Sequence, residues 1–258
     1  MSLFFAPPQP PAERALWLDL GNTRLKYWLT EHGQVLQHGA ELHLQSPLDL
    51  LRGLRSSFAG WSPQRIILSS VLDAGHNQQV LQLLAGVAPR VEQVRVEAHH
   101  PQLATRYDAS RLGVDRWLQV LAVAPAHPQA CVVGCGTALT IDLLDAGVHQ
   151  GGYILPSLYL QREALNQGTR QIRIQEGALT SLAAGTHTQE AVLHGILLGL
   201  VGAIEKTLQG QPERPLFLTG GDAPLLAGFL SLPNPRLIVP DLLLAGLYRY
   251  CSGGHRQG

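Results

Sequence analysis

Lysine is nearly missing from this chain: of its 19 basic residues 17 are arginine, and Lys26 and Lys206 are the exceptions. A surplus of either charge is missing too, because 19 acidic residues leave the formal net charge at zero. No basic stripe of the kind that grips a phosphate backbone is present, so no nucleic-acid partner is expected. The three cysteines, Cys131, Cys135 and Cys251, are odd in number and form no CxxC pair. That excludes a disulfide framework and suits a reducing, cytoplasmic compartment. No apolar stretch is expected to reach the ~20 residues that cross a bilayer, and so no membrane partner. The opening residues are uncharged and rich in proline at Pro7, Pro8, Pro10 and Pro11, unlike a secretory signal. Residues 1–14 are expected to form a loose leader. The 11 histidines, the His99-His100 pair included, show no metal-ligand spacing. They are expected on the surface or in loops, and no resident metal bound directly by protein ligands is expected. Neither GxxxxGK[ST] nor GxGxxG occurs, which removes P-loop, Rossmann and protein-kinase chemistry.

What is present is an ordinary globular composition, 45% hydrophobic and 15% charged over 258 residues, enough for one large domain or two modest ones. The apolar run Ala15 to Leu20, the break Gly21-Asn22-Thr23 and the alternating run Arg24 to Leu29 predict a hairpin. A third strand is expected near Gln34 to Gln37. A helix over Pro47 to Phe58, a strand at Arg65 to Val71, a helix at Asn77 to Leu84 and a strand near Val94 to Val96 follow. The order then repeats. Strands at Ala130 to Cys135, Ala138 to Leu144 and His149 to Leu155 precede helices at Leu158 to Leu165 and Thr188 to Leu208. A strand at Leu216 to Thr219, a helix, a strand at Arg236 to Val239 and a helix near Asp241 to Tyr250 close the chain. Three meandering strands followed by alternating helices and strands, twice over, predict two mixed α/β domains facing a cleft.

Two hairpin turns carry candidate chemistry. In Asp19-Leu20-Gly21-Asn22-Thr23-Arg24-Leu25-Lys26 the Gly-Asn-Thr turn offers backbone N–H groups at close range, a pattern that binds phosphate oxygens. Asp19 is placed to hold Mg²⁺ through water, and Lys26 to reach the same phosphates. The structural alternative is a plain Asn-Gly type turn with Asp19 a solvated strand residue. Gly136-Thr137 occupies the same place in the second repeat, and two such turns facing one cleft would clamp a triphosphate.

The motifs as a series resemble the type III pantothenate kinases. Asp19-x-Gly21-Asn22-Thr23-x-x-Lys26 is similar to that family's first phosphate motif. Leu112-Gly113-Val114-Asp115-Arg116, with Tyr107 upstream, is similar to its Gly-x-Asp-Arg substrate motif. Gly136-Thr137-Ala138-x-Thr140-x-Asp142 resembles its second phosphate motif, and Gly151-Gly152-x-Ile154-x-Pro156 its Gly-Gly-x-Ile-x-Pro turn. Thr188-x-x-Ala191-Val192-x-x-Gly195 resembles the start of its dimer helix, and Thr219-Gly220-Gly221-Asp222 its adenosine-side glycines. Each motif is degenerate alone, but six in order are hard to obtain by chance.

The resemblance implies the duplicated actin-like/sugar-kinase ATPase (ribonuclease H-like) fold, with domains at 15–115 and 116–258, the second carrying the dimer helix. It implies transfer of a phosphoryl group from ATP with Mg²⁺ to pantothenate, the first step of coenzyme A biosynthesis. ATP would be held by Asp19, Leu20, Gly21, Asn22, Thr23, Arg24, Leu25, Lys26, Gly136 and Thr137. Tyr107, Gly113, Val114, Asp115 and Arg116 would hold pantothenate, joined by Thr188 of the second chain of a homodimer. Asp115 would be the general base, and Arg116 would grip the pantothenate carboxylate. The alternatives are a helix cap for Asp115, a surface ion pair for Arg116 and an N-cap for Thr188. The sequence departs from the family at Gly134, where an aspartate that anchors K⁺ or NH₄⁺ is usual, and weak or absent dependence on such a cation follows. Ser157 replaces a glycine usual after the proline. Two other functions remain open at this stage: a non-catalytic relative acting as a transcription accessory factor, and another small-molecule kinase of the same fold.

Overall fold

The computed structural model describes residues 3–9, 11–43, 46–168, 174 and 181–253. They divide into two compact units, Ala6–Pro125 with Leu242–Gly258, and Ala126–Asp241 with Met1–Phe5. Called the first and second unit in the order of their strands, they repeat one plan.

The first unit opens with β1 (Ala15–Leu20), β2 (Arg24–Glu31) and β3 (Gln34–Leu42), continues through α1 (Pro47–Gly60), β4 (Arg65–Ser70), α2 (Ala74–Leu84) and β5 (Arg90–Gln93), and adds the short pair β6 (His99–His100) and β7 (Leu103–Thr105) before α3 (Val114–Val123). Its sheet runs β3-β2-β1-β4-β5, with β1 antiparallel to β2 and parallel to β4. β1 is apolar except for Asp19 and is buried throughout, as a strand covered on both faces must be. Leu16, Leu18, Leu20, Phe58, Ile66 and Leu68 form the core. Pro47 starts α1 where a missing N–H costs nothing, and the Asp73 carboxylate caps α2 by accepting from His76 N–H at 3.0 Å.

The second unit holds β8 (Ala130–Cys135), β9 (Ala138–Asp145), β10 (Val148–Pro156), α4 (Leu158–Gly168), α5 (Thr188–Leu208), β11 (Leu216–Thr219), α6 (Ala223–Phe229) and β12 (Arg236–Ile238). Its strands run β12-β11-β8-β9-β10, the same order read from the other end. The copy extends to the turns. His32-Gly33 and Ala146-Gly147 join the second and third strand of each sheet with positive φ at both positions, the geometry a two-residue hairpin favours. The duplicated mixed α/β plan predicted from the motif order is therefore the one observed.

Several expectations are corrected. The division lies at 125/126, not 115/116, and the last helix, α7 (Leu242–Gly253), returns to the first unit to pack on α3. Gly246 makes that approach possible, since a Cβ there would overlap the Leu118 carbonyl. β5 lies at 90–93 because Arg90 and Glu92 form ion pairs with Glu13 and Arg65 at the sheet edge, a charged pattern that hides a strand. The leader is tethered where it is described: Glu13 pairs with Arg65 and Arg90, and Phe5 meets the Phe217 ring edge-on at 6.3 Å. Residues 1, 2 and 10 lie outside the described residues. Finally, α5 has 21 residues, and an 18-residue stretch of it has a mean hydropathy of 1.5, long and apolar enough by length and composition to cross a membrane. The apolarity lines the core of its unit, where Leu197, Leu200, Val201 and Ile204 pack on β8 and β9 residues.

Candidate active site

Asp19 faces two partners set by strand register. It lies opposite Lys26 on β2 and beside Ser69 on β4, and the Ser69 hydroxyl donates to its Oδ1 at 3.0 Å. It is 6% exposed, so the solvated-strand alternative does not hold. Burial, and next the charge of Asp115, push its carboxyl up to about 6, against the opposing pull of Lys26 and the Ser69 bond. A buried carboxyl held above its ordinary range beside a second carboxylate is a pair that lacks positive charge. That electrostatic shortfall fits a hydrated Mg²⁺ carried in with a nucleotide. The turn after Asp19 presents Asn22 and Arg24 exposed, with Gly21 and Thr23 half-buried. Leu20 and Leu25 are fully buried in the core, which leaves only their backbone for any ligand.

Asp115 sits in the first turn of α3, where Gly113 and not Asp115 is the N-cap residue. Gly113 has a second use: a Cβ there would lie 2.6 Å from Asp115 Oδ1, so glycine keeps the space the carboxylate occupies. Val114 is buried, and Arg116 is 4% exposed, not a surface ion pair. Its guanidinium carbon lies 5.3 Å from the centre of the Tyr107 ring, a cation–π distance. The planar fork of Arg116 is thus held by an aromatic face, an arrangement suited to a carboxylate.

In the second unit Gly136 and Thr137 form the exposed turn between β8 and β9, closed by Gly136 N–H to Ala138 C=O at 3.1 Å. Gly134 is the positional twin of Asp19: each stands two residues before the turn glycine and pairs with a hydroxyl residue on the parallel neighbour, Ser69 for Asp19 and Thr219 for Gly134. Behind it, Gly220 has φ +98 and no room for a Cβ against the Cys135 carbonyl. Asp222 is half-buried, and burial raises its carboxyl. The Cys135 thiol, buried and near that charge, is pushed up to about 12 and stays protonated. Thr188 is the first residue of α5, and His187 takes the N-cap place by accepting from Glu190 N–H. The N-cap alternative for Thr188 is corrected, and its side chain is exposed.

The structure thus brings Asp19, Lys26 and Asp115 together in one unit and stacks Arg116 on Tyr107. Gly136, Thr137 and Thr188 belong to the other unit. Sequence reasoning missed Ser69, although two serines closing the apolar run at 65–70 were a readable signal. It also placed the histidines on the surface or in loops, whereas His100 and His149 are buried in β6 and β10, and His43, in the loop after β3, is buried too. Each is tied locally: His149 Nε2 to Asp142 Oδ1 at 2.8 Å, His43 to the Gly21 carbonyl, and His100 Nδ1 accepting from Gln102 N–H. Nothing in their spacing announced this.

Comparison with known proteins supplies the family. Residues 15–210 match the family model described as type III pantothenate kinase. A protein named type III pantothenate kinase from Acinetobacter baumannii is 52% identical over 240 residues, covering 93% of this chain and 98% of that protein. Among solved structures, one assigned as a 2-dehydro-3-deoxygalactonokinase from Sinorhizobium meliloti aligns with a TM-score of 0.58 at 17% identity, covering 95% of this chain and 98% of that one. MreB5 of Spiroplasma citri bound to ADP aligns with a TM-score of 0.54 at 10% identity, covering 94% and 96%. Those two structures establish the actin-like/sugar-kinase ATPase fold and nothing narrower. With the family model spanning the greater part of its length and half its residues identical to a relative across nearly all of both chains, this chain belongs to the type III pantothenate kinase family.

Proposed function

We propose that this chain transfers the γ-phosphoryl group of ATP to the primary hydroxyl of pantothenate, giving 4'-phosphopantothenate and ADP at the entry to coenzyme A biosynthesis. The observation that carries the reading is the buried Asp19, bonded by Ser69, facing Lys26 and sensing Asp115. Asp19 would hold hydrated Mg²⁺, which when bound supplies positive charge to the phosphates. The 21–23 turn and Lys26 would hold the nucleotide phosphates. Asp115 accepts the hydroxyl proton as the oxygen forms its bond to phosphorus and the bond to ADP breaks. Arg116, steadied on Tyr107, grips the substrate carboxylate. A coupled ADP-release assay with ATP and a panel of small hydroxyl acceptors tests this: pantothenate alone should support turnover. Turnover with a sugar instead would transfer the site to another kinase of the fold. No turnover with any acceptor would favour the regulatory alternative.

Arg116→Lys keeps the charge and loses the bidentate fork. The Michaelis constant for pantothenate should rise by about tenfold or more while that for ATP stays close to wild type. An equal rise in both would move Arg116 to the nucleotide side or to structure.

Gly134 offers no carboxylate where the family resemblance implies an aspartate that anchors a cation, and hard monovalent cations favour oxygen ligands, anionic ones above all. Turnover should therefore depend weakly or not at all on K⁺. Titrating KCl at constant ionic strength into buffer free of K⁺ and NH₄⁺ measures it, and steep saturable activation would show that another group replaces the missing anchor.

A homodimer sharing Thr188 is supported by apolar side chains left exposed on the second unit: Leu198 on α5, 54% exposed, with Tyr153 and Ile154 on β10 and Tyr159 on α4. Such surface commonly marks a partner. Light scattering should give twice the chain mass, and Leu198→Glu should lower it together with activity. A fully active monomer would sink the shared site. The free cysteines accord with a reducing, cytoplasmic setting.

A further inference from the structure

The turn after Asp19 is shaped by a residue outside it. His43 follows β3 and is 4% exposed. Its Nε2 lies 2.9 Å from the Gly21 carbonyl oxygen, and its backbone N–H donates to the Thr23 carbonyl at 3.1 Å. One residue therefore takes up two of the carbonyls of the three-residue turn. A carbonyl oxygen only accepts, so Nε2 carries the ring proton and donates. Nδ1 is then a lone pair, buried and without a hydrogen-bond partner among the described residues. Leaving a buried acceptor unpaired is unfavourable, and an apolar ring would fill the place without that penalty. What the imidazole alone contributes is the bond to Gly21.

The consequence lies on the other side of the same peptide. In a trans peptide the C=O of one residue points opposite to the N–H of the next. Anchoring the Gly21 carbonyl on His43 turns the Asn22 N–H away from His43 and out of the turn. Asn22 is exposed there, and no hydrogen bond holds its N–H among the described residues. A backbone N–H fixed outward beside a glycine is a ready donor to a phosphate oxygen.

We propose that His43 is a positioning residue for nucleotide binding, presenting the Asn22 amide to the phosphates of ATP through its Nε2–H bond to the Gly21 carbonyl. This rests on reading the 21–23 turn as a phosphate cradle. The test titrates MgATP by calorimetry into the full chain and into His43→Phe and His43→Gln, with melting temperatures and steady-state constants for both substrates. Phenylalanine keeps the ring and loses the donor, while glutamine carries an amide nitrogen with similar reach. His43→Phe should weaken MgATP binding by about tenfold and raise the Michaelis constant for ATP alike. The constant for pantothenate should stay within about twofold, and His43→Gln should recover most of the loss. If His43→Phe does not fold, His43→Asn, whose shorter amide stops short of Gly21, carries the same expectation. Equal MgATP affinity in wild type and donor-less variants would overturn the proposal while leaving the cradle intact. So would parallel losses for both substrates that follow the melting temperature. Failure of the wild type itself to bind MgATP would remove the cradle first, and the proposal with it.

Discussion

Asp115→Asn should leave ATP and pantothenate binding within a few-fold and lower turnover by ~10²–10⁴-fold, the usual effect of losing a general base. The comparison of magnitudes separates this from a structural effect. An acid in the first turn of a helix contributes only about 0.3–1 kcal/mol through the helix dipole, and the N-cap residue of α3 is Gly113. Removing its charge also relieves Asp19, whose carboxyl it helps to raise. The variant should therefore fold at least nearly as well as wild type, and a collapse in rate would be chemical. Calorimetric binding beside steady-state rates makes the measurement. Turnover near the wild-type value would mean that the proton goes elsewhere and that Asp115 serves position or charge only.

Asp19→Asn should raise stability and abolish most activity together. The Asp19 carboxyl titrates near 6 in the folded chain and near 3.9 when unfolded. Because the folded value is the higher one, the native state keeps a proton between about pH 4 and 6 that the unfolded state has lost. Stability therefore falls as pH rises through that window, and above it the buried ionised carboxylate costs about 3 kcal/mol. The neutral amide still accepts from Ser69 and escapes this cost. Thermal unfolding at pH 7.5 should show the variant more stable, and at pH 4 the difference should nearly vanish. The same substitution removes the anion proposed to hold Mg²⁺, so turnover should drop by at least about a hundredfold. Equal stability of the two proteins at pH 7.5 would show that Asp19 is solvated in a way the buried geometry excludes. Retained turnover would take it out of the nucleotide site.

The gain in stability on removing a functional group follows from the register of β1. Asp19 is the one charged residue in a buried central strand, and a strand chosen for packing alone would carry an apolar residue there. Sites that hold ionised groups in low dielectric surroundings commonly sacrifice stability in this manner.

Much of this was legible in the order of residues. Short apolar and alternating runs broken by Gly-Asn-Thr and Gly-Thr located both hairpins, because strand patterning and turn chemistry are local properties. The repeat of that order along the chain carried the duplicated α/β plan, and short motifs in series pointed to the family. What sequence could not decide were matters set by partners far apart in the chain. Asp19 reads as a solvated strand residue or a buried ligand until β4 lies beside it with Ser69, 50 positions away. Arg116 reads as a surface charge until Tyr107 covers it. The charged edge strand β5 hides among its ion pairs, and α7 looks like part of the second half until Gly246 lets it settle on α3 in the first. His43 shows nothing in its neighbours along the chain, and its contact with Gly21 exists only because β3 returns antiparallel to β2 and ends beside the turn. Local patterning determined the elements and the candidate chemistry. Burial and register, which arise only when distant segments pack, decided which groups are desolvated, which are paired and which backbone donors point outward.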